Sequence, residues 1–273
     1  MCGICGCGGS EPVFVLDLQD GSVVTHRDAK VAVPKKHLHL VHSHGPSDDA
    51  VIELEQRLLA KNDLLAAQNR KWFEARGILA LNLVSSPGSG KTSLLERTIK
   101  DLKSEINISV VEGDQATAND GERIRAAGAP AVQVNTGTGC HLEADMVERG
   151  LAMLKPANGS IVMVENVGNL VCPAMFDLGE RAKIAILSVT EGEDKPLKYP
   201  HMFQAAEVMI LNKIDLLPHL DFDVSLAIAN ALKVNPNIIV LRVSARTGEG
   251  MDIWYNWLKR EAAAAHDRME IHK

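Results

Sequence analysis

The feature that most constrains the fold is an alternation of short apolar segments with helix-like segments from residue 78 onward. Seven apolar runs recur in this region, with the sequences ILALNLV, ISVVEG, AVQVN, SIVMVE, AKIAILSV, EVMILN and NIIVLRV. Helix-like segments separate them. Because parallel strands need a crossover connection, which is usually a helix, the alternation predicts βαβ units around a mostly parallel sheet. We therefore expect a doubly wound α/β fold.

Before this region the chain has two segments of different character. Residues 1–46 are irregular apart from a possible short pair of strands. Residues 47–76 are expected to form a helix, because Ser47 and the two aspartates after it suit a helix start and Gly77 suits a helix end. The predicted division is thus an N-terminal extension over 1–46, a helix over 47–76 and an α/β domain over 77–273.

Composition and charge argue against several functional classes. Hydrophobic residues make up 46% of the 273 residues, which is enough for a packed core, whereas aromatic residues make up 4% and the formal net charge is −6. Few aromatics and an acidic balance argue against nucleic-acid binding. No apolar run reaches the roughly 18 residues of a membrane span, and no signal-peptide pattern is visible, so a cytoplasmic protein is expected. The five cysteines are odd in number and clustered, which favours metal or redox chemistry over disulfides.

The first apolar run leads into VSSPGSGKTSLLE, which has the pattern of a phosphate-binding loop. Glycines allow backbone N–H groups to turn toward phosphates, Lys91 can reach the β- and γ-phosphates, and the Thr92 hydroxyl can ligate Mg²⁺. The usual pattern has a glycine where this chain has Ser85, and an ordinary glycine turn at a helix start is the alternative. The residues expected to bind phosphate here are Gly88, Ser89, Gly90, Lys91, Thr92 and Ser93.

The sixth apolar run ends in NKID, the pattern that reads guanine in GTPases. The Asp215 carboxylate can accept hydrogen bonds from N1–H and the exocyclic amine of guanine, and adenine offers neither donor on that edge. Asn212 and the Lys213 stem would support the ring, and a backbone N–H in the Ser244-Ala245 segment would face the guanine O6 atom. Alone, NKID is also compatible with a helix-capping turn. Together with the phosphate-binding loop it indicates a GTPase.

Two acidic residues end strands in the same region. Asp114 ends the second run, and Glu165 ends the fourth run three residues before Gly168. The second position resembles the D-x-x-G switch motif with glutamate in place of aspartate, so the acid would hold the Mg²⁺ shell and the Gly168 N–H would sense the γ-phosphate. Solvated carboxylates at strand ends are the alternative. Ligands bind at the carboxyl ends of parallel strands, which favours the functional interpretation.

A possible metal site lies between these motifs. Cys140 and His141 are adjacent, at an expected helix start, and Cys172 follows Gly168 by four residues. Thiolate and imidazole suit Zn²⁺ and Ni²⁺, and water or a second subunit would complete the coordination. A metal ligand this close to the γ-phosphate sensor would move with nucleotide state. Buried cysteines that act as small apolar residues are the alternative.

These motifs together resemble the hydrogenase-maturation nickel-insertion GTPase family, HypB. The resemblance is carried over essentially the whole chain by MCGICGCG, SSPGSGKTSLLE, EGDQATANDGERI, GTGCHLEADM, ENVGNLVCPAMFDLGE, LNKIDLL and SARTGEGM. It implies a P-loop GTPase of the dimerising class related to signal-recognition and urease-accessory GTPases. It also implies delivery of nickel to the large subunit of nickel–iron hydrogenase, with a HypA-type metallochaperone and in some cases a SlyD-type prolyl isomerase as partners.

The resemblance assigns further residues at the N-terminus and in one loop. Cys2, Cys5 and Cys7 match the C-x-x-C-x-C of family members that bind nickel tightly, so the extension is expected to be flexible and metal-binding, with an incidental cysteine tail as the alternative. Metal binding and a plain polar linker are both open for the tract containing His37, His39, His42 and His44. Lys195 is preferred over Lys198 as the family lysine that contacts nucleotide and the partner subunit, and a solvated lysine is the alternative.

The function expected from this resemblance is a slow GTPase that couples GTP binding and hydrolysis to nickel transfer. GTP and Mg²⁺ would order the Asp114 and Glu165–Gly168 segments and favour a homodimer. A nickel buffer with a secondary GTPase is the first alternative. A urease-accessory GTPase is the second, and the N-terminal cysteines disfavour it.

Overall fold

The computed structural model describes residues 14–19, 23–25, 48–114, 119–137 and 139–271. Nine strands in these residues form one sheet in the order β2-β1-β5-β4-β6-β3-β7-β8-β9. The strands are β1 Phe14–Asp17, β2 Val23–Thr25, β3 Leu79–Ser85, β4 Ile108–Asp114, β5 Ala131–Asn135, β6 Ile161–Glu165, β7 Ala182–Ser188, β8 Ala206–Asn212 and β9 Ile239–Arg242. Every pairing among strands β3 to β9 is parallel, which confirms the prediction from the seven apolar runs.

The short strand pair expected near the N-terminus forms and extends this sheet. Strand β1 pairs antiparallel with β2 and with β5. Its first residue, Phe14, lies opposite Asn135, the last residue of β5. The antiparallel pairing therefore places the start of β1 at the edge of the sheet where the parallel strands end.

Helices cover both faces of the sheet. They are α1 Asp48–Glu74, α2 Lys91–Leu102, α3 Asn119–Ala127, α4 Ala144–Leu154, α5 Cys172–Met175, α6 Lys195–Lys198, α7 Pro200–Ala205, α8 Val224–Val234 and α9 Met251–Ile271, with a 3₁₀ helix at Ile214–His219. Helix α1 begins one residue after the predicted capping Ser47 and ends before Gly77, which has a φ of +60°. Among the described helices, none is both long enough and apolar enough to cross a bilayer.

The two faces are seen in the alternation of buried residues along β3. Leu81 belongs to a core cluster with α2, α3 and α9, whereas Ala80 belongs to a cluster with α1 and α4. Val84 belongs to a third cluster, which includes residues of α7 and α8. Successive side chains of a strand point to opposite faces, so a central strand must be apolar on both. This confirms the doubly wound α/β fold.

The fold gathers the motifs along one edge. In a parallel sheet all strands end at the same edge, and ligands bind there. The phosphate-binding loop follows β3, Asp114 ends β4, Glu165 ends β6 and the NKID segment follows β8.

Candidate functional site

The phosphate-binding loop has the backbone geometry that its glycines predict. Gly88 and Gly90 have φ values of +76° and +94°, in the left-handed region that favours glycine. A Cβ at Gly90 would lie 2.5 Å from Asn212 Nδ2, so no larger residue fits. The loop borders a cavity of about 540 Å³. Its lining residues are Ser85, Pro87, Gly88, Ser89, Gly90, Lys91, Thr92, Ser93, Asp120, Arg123, Val167, Gly168 and Lys213.

Three of the predicted residues converge at the base of this cavity. Thr92 Oγ1 donates a 2.7 Å hydrogen bond to Glu165 Oε1, and Lys91 Nζ lies 3.6 Å from the same oxygen. Glu165 is buried, and its Oε2 has no hydrogen-bond partner within the described structure. Burial raises the pKa of Glu165, while Lys91 and Thr92 act in the opposite direction. A buried carboxylate oxygen without a partner, beside a hydroxyl, is a donor set that suits Mg²⁺.

A further carboxyl group, which the sequence analysis missed, lies beside Glu165. Glu112 is buried and is the register partner of Glu165 in the parallel β4–β6 pair. Burial raises the pKa of Glu112 to about 9, and Glu165 and Asp114 add to the shift. Glu112 and Asp114 are two residues apart on β4, so both point to one face. An E-x-D pattern at a strand end was the available signal.

The NKID segment is tied to the phosphate-binding loop. Asn212 Nδ2 donates to Ser89 O at 3.0 Å, and Lys213 Nζ donates to Gly88 O at 2.6 Å. Lys213 has a φ of +63°, which is uncommon for a residue with a side chain. These bonds fix the distance between the loop and the segment expected to read the base.

The segment after β9 closes the same region. Ser244 Oγ donates a 2.6 Å hydrogen bond to Asp215 Oδ1, which orients the carboxylate. The Ala245 N–H donates to Asn212 Oδ1 at 3.3 Å, so it has an acceptor within the protein. A contact from this segment to guanine O6 therefore stays a prediction.

The two candidate lysines after β7 differ in their surroundings. Lys195 Nζ lies 3.5 Å from Ser86 Oγ of the phosphate-binding loop and 3.3 Å from Glu191. Lys198 is exposed and pairs with Asp194 at 2.7 Å. Of the two, Lys195 is the one near the nucleotide cavity, although its contact with a partner subunit stays a prediction.

A second group that the sequence analysis missed stands at the mouth of the cavity. Arg123 of α3 donates to Ser93 Oγ at 3.3 Å, to Glu96 at 2.9 Å and to Asp120 at 2.9 Å. Arg123 and Asp120 both line the cavity. The available signal was a D-x-x-R pattern on a helix that follows an acidic strand end, which puts both side chains on one helix face.

The structure also brings the three predicted internal metal ligands together. Cys140 Sγ lies 3.0 Å from Cys172 Sγ and 3.7 Å from His141 Nδ1, and all three ligand atoms lie within 4.8 Å of one another. We call these three residues the Cys–His–Cys cluster. Helix α4 begins at Ala144, so Cys140 and His141 lie in the preceding loop and the expected helix start at these residues is wrong. A loop can direct both side chains toward Cys172, whereas adjacent residues on a helix point in different directions.

His141 is held as a neutral imidazole. Burial lowers its pKa to about 4, and its ring packs 3.9 Å from the Phe176 ring centroid. Its Nε2 is buried without a hydrogen bond in the described part of the chain, and the Glu143 carboxylate lies 3.8 Å away. Neutral imidazole and thiolates are the donors that Zn²⁺ and Ni²⁺ prefer, so the cluster fits either metal and leaves a fourth position.

One short segment touches both sites. Gly168 packs against Pro87 of the phosphate-binding loop, and a Cβ at this glycine would lie 3.2 Å from three Pro87 atoms. The next residue, Asn169, directs its amide toward Cys140 O at 3.5 Å. Cys172 follows three residues later. The segment 165–172 therefore runs from the nucleotide cavity to the cluster.

The remaining predicted metal ligands lie outside the described residues. These are Cys2, Cys5 and Cys7 and the histidines His37, His39, His42 and His44.

Comparisons with known proteins agree with this geometry. Residues 79–242 match the family model described as "CobW/HypB/UreG, nucleotide-binding domain". The hydrogenase maturation factor HypB of Rhizobium leguminosarum bv. viciae is 61% identical over 231 residues, covering 85% of this chain and 77% of that protein. HypB of Escherichia coli is 57% identical over 223 residues, covering 82% and 77%.

Among solved structures, HypB from Helicobacter pylori in complex with nickel matches with a TM-score of 0.71 and 37% identity, over 76% of this chain and 97% of that one. Sequence identity, coverage and fold thus point the same way as the phosphate-binding loop, the NKID segment and the Cys–His–Cys cluster. This chain belongs to the HypB family of hydrogenase maturation factors.

Proposed function

We propose that this protein is a GTPase that couples GTP binding and hydrolysis to delivery of nickel into the large subunit of nickel–iron hydrogenase. One observation carries the proposal: the eight-residue segment 165–172 begins at Glu165, which contacts Lys91 and Thr92, and ends at Cys172, which contacts Cys140. A change at the γ-phosphate then alters the position of a metal ligand through a few bonds of backbone.

The nucleotide is held by the loop and base-reading residues. Backbone N–H groups of the loop and the Lys91 ammonium bind phosphate, and the Asp215 carboxylate, held by Ser244, selects guanine. The Gly168 N–H is proposed as the γ-phosphate sensor. The full proposed set is Gly88, Ser89, Gly90, Lys91, Thr92, Ser93, Lys195, Asn212, Lys213, Asp215, Ser244 and Ala245.

Mg²⁺ is the implied cofactor of hydrolysis. Thr92, Asp114 and Glu165 would hold it, and when bound it supplies charge neutralisation between the β- and γ-phosphates. Lys91 stabilises negative charge on the phosphate oxygens, and Glu165 keeps the Thr92 hydroxyl oriented. Turnover without a partner is expected to be slow, since the Arg123 side chain that lines the cavity is engaged by Ser93, Glu96 and Asp120.

Nickel is the cargo. The Cys–His–Cys cluster offers two sulfurs and a neutral imidazole nitrogen, and Zn²⁺ is a second candidate occupant. Cys2, Cys5 and Cys7 are proposed as a separate nickel site. A HypA-type metallochaperone, a SlyD-type prolyl isomerase, the hydrogenase large subunit and a second copy of the chain are the proposed partners.

The test measures metal affinity in two nucleotide states. Full-length protein carrying serine at positions 2, 5 and 7 is titrated with Ni²⁺ against a competing chelator, with Mg²⁺ and either GDP or a non-hydrolysable GTP analogue. We expect the two dissociation constants to differ at least about fivefold, the lower end of typical coupling between sites. Equal constants, with self-association also unchanged, would contradict the proposal.

A further inference from the structure

A buried amide side chain lies between the nucleotide cavity and the Cys–His–Cys cluster. Asn166 follows Glu165 directly and is 1% exposed. Its Oδ1 accepts the Leu142 N–H at 3.1 Å, and its Nδ2 donates to Asn82 Oδ1 at 3.2 Å. Because Leu142 follows His141, this single side chain bonds to the loop that carries two of the three cluster residues.

Asn166 is also fixed to the strand that leads into the phosphate-binding loop. Its backbone N–H donates to Leu83 O at 3.0 Å, and the side chain of Asn82 on the same strand is its amide partner. Asn82 is fully buried. A buried donor or acceptor that is left without a hydrogen-bond partner destabilises the protein. The Asn166 amide is therefore expected to move together with β3 and with the loop that carries Cys140 and His141.

The network continues to the second loop of the cluster. Asn82 Nδ2 donates to Glu180 Oε1 at 3.2 Å, and Glu180 forms a buried ion pair with Lys183. Lys183 Nζ donates to Phe176 O at 2.9 Å, and the Phe176 ring packs on His141. Both sides of the cluster are therefore connected to the amide pair formed by Asn82 and Asn166.

Two further buried amides hold the same loops from a different direction. Asn62 of α1 accepts the Ala144 N–H at 2.9 Å and donates to Asp177 O at 2.7 Å. Asn69 of α1 donates to Ala144 O and Leu178 O at 2.8 and 3.0 Å. In the described structure, the side-chain hydrogen bonds of Asn62 and Asn69 reach neither β3 nor the segment 165–172. They support the loops without a direct bond to Asn82 or Asn166 among the described residues, and they are linked to that pair only indirectly, through the Leu178 N–H that donates to Glu180 at 2.7 Å.

We infer that Asn166 is the positioning residue that transmits nucleotide state to the Cys–His–Cys cluster. The inference rests on the proposed coupling of GTP to metal release. A shift of Glu165 at the end of β6 moves the adjacent Asn166, and the hydrogen bond to Leu142 moves the Cys140–His141 loop relative to Cys172. The donor atoms then change their separation, and metal affinity changes with it.

The test compares the nucleotide dependence of metal affinity, which a purely structural residue would not alter. The starting protein is again the full-length chain with serine at positions 2, 5 and 7. Its Ni²⁺ dissociation constants are measured with GDP and with the non-hydrolysable GTP analogue, and the same is done after Asn166→Ala and after Asn62→Ala. We expect the ratio of the two constants to fall to within about twofold of one in Asn166→Ala. Asn62→Ala should weaken Ni²⁺ binding in both states and keep the ratio.

The outcomes separate the inference from the proposal on which it depends. A ratio of one with the network intact overturns the proposed function itself. A normal ratio in Asn166→Ala, or an equal loss of the ratio in Asn62→Ala, overturns the role of Asn166 alone. GDP affinity and thermal unfolding confirm that each variant folds. If Asn166→Ala does not fold, Asn82→Ala tests the inference instead. It removes the amide partner of Asn166 and should likewise bring the ratio of the two Ni²⁺ dissociation constants closer to one.

Discussion

The nucleotide cavity and the Cys–His–Cys cluster lie along one edge of the sheet but are built on opposite electrostatic principles. The cavity gathers ionisable groups: at its base, buried Glu112 and Glu165 each have an oxygen with no hydrogen-bond partner among the described residues, and Lys91 lies beside Glu165. The cluster collects neutral donors, two thiols and an imidazole whose pKa is lowered to about 4. The cavity is shaped by left-handed glycines, whereas buried amides hold the loops of the cluster.

This difference indicates what each site needs in order to be complete. Unpaired carboxylate oxygens in a buried site are costly until a cation or a proton neutralises them. The cluster is the reverse case, because its imidazole is already neutral and only the thiols must lose protons to bind a metal. Substitutions at one site should therefore leave the intrinsic binding of the other intact while breaking the coupling between them.

The largest expected effect is on hydrolysis. Lys91→Ala removes the cation from the phosphate-binding loop, and we expect GTP turnover to fall on the order of 10²–10³-fold. Ni²⁺ affinity without nucleotide should stay within about twofold, because Lys91 contacts Glu165 and no cluster residue. Steady-state phosphate release and chelator competition measure the two effects.

The matched control is Lys198→Ala, which removes the same charge from an exposed side chain and should leave turnover unchanged. In cells limited for nickel, Lys91→Ala should abolish hydrogenase activation. Activation that survived the substitution would favour a nickel buffer over a coupled GTPase.

An intermediate effect is expected at the cluster. Cys172→Ser removes a sulfur donor, and Ni²⁺ affinity of the chain with serine at positions 2, 5 and 7 should fall at least about 10–100-fold. GDP affinity should change less than about twofold, since Cys172 contacts Cys140 and does not line the cavity. The exposed neighbour offers the control Val171→Ser. A large loss of GDP affinity in Cys172→Ser alone would show that the two sites are not separable.

The smallest expected effect is on the pH dependence of stability, which depends on the buried Glu112 beside the nucleotide cavity. Glu112 keeps its proton to about pH 9 in the folded protein, against an ordinary pKa of 4.5. Between these values the unfolded chain has lost the proton that the folded chain retains, so stability of the nucleotide-free protein falls as pH rises. Glu112→Gln cannot ionise, so this slope should disappear, with a gain of about 1–3 kcal/mol at pH 8.

Denaturant unfolding at several pH values between 5 and 9 measures the slope, with the exposed Glu122→Gln as the control. An unchanged slope in Glu112→Gln would mean that Glu112 is ionised in the folded protein.

Local patterns predicted the fold because they are sufficient for it. Each of the seven parallel strands is a mostly apolar run, and Gly77 and Gly90 lie where the backbone adopts positive φ. The phosphate-binding loop and the Cys–His–Cys cluster were likewise predictable from short motifs. The residues in these motifs are chemically uncommon at such spacing, so their identity carries the information.

The residues that connect the two sites were not predictable in the same way. Even for Glu112 beside the nucleotide cavity, the E-x-D pattern at the strand end does not reveal that Glu165 is its partner on the neighbouring strand. Asn82 and Asn166 are 84 positions apart, and the sequence alone does not distinguish a buried, hydrogen-bonded asparagine from an exposed one. Their role depends on strand register, which only the folded sheet supplies.

The antiparallel pairing of β1 with β5 limits how far the residues that precede β1 can lie from the sheet. Strand β1 starts at Phe14 beside the end of β5, so the polypeptide before it joins the sheet at the edge where the parallel strands end. Seven peptide steps separate Cys7 from Phe14, a span of at most roughly 25 Å. This length alone would keep a thiol at Cys7 within a small volume around the start of β1, which corresponds to a high effective concentration. Under the proposed function, transfer of nickel from Cys2, Cys5 and Cys7 to the Cys–His–Cys cluster would be a step within one molecule, largely independent of protein concentration.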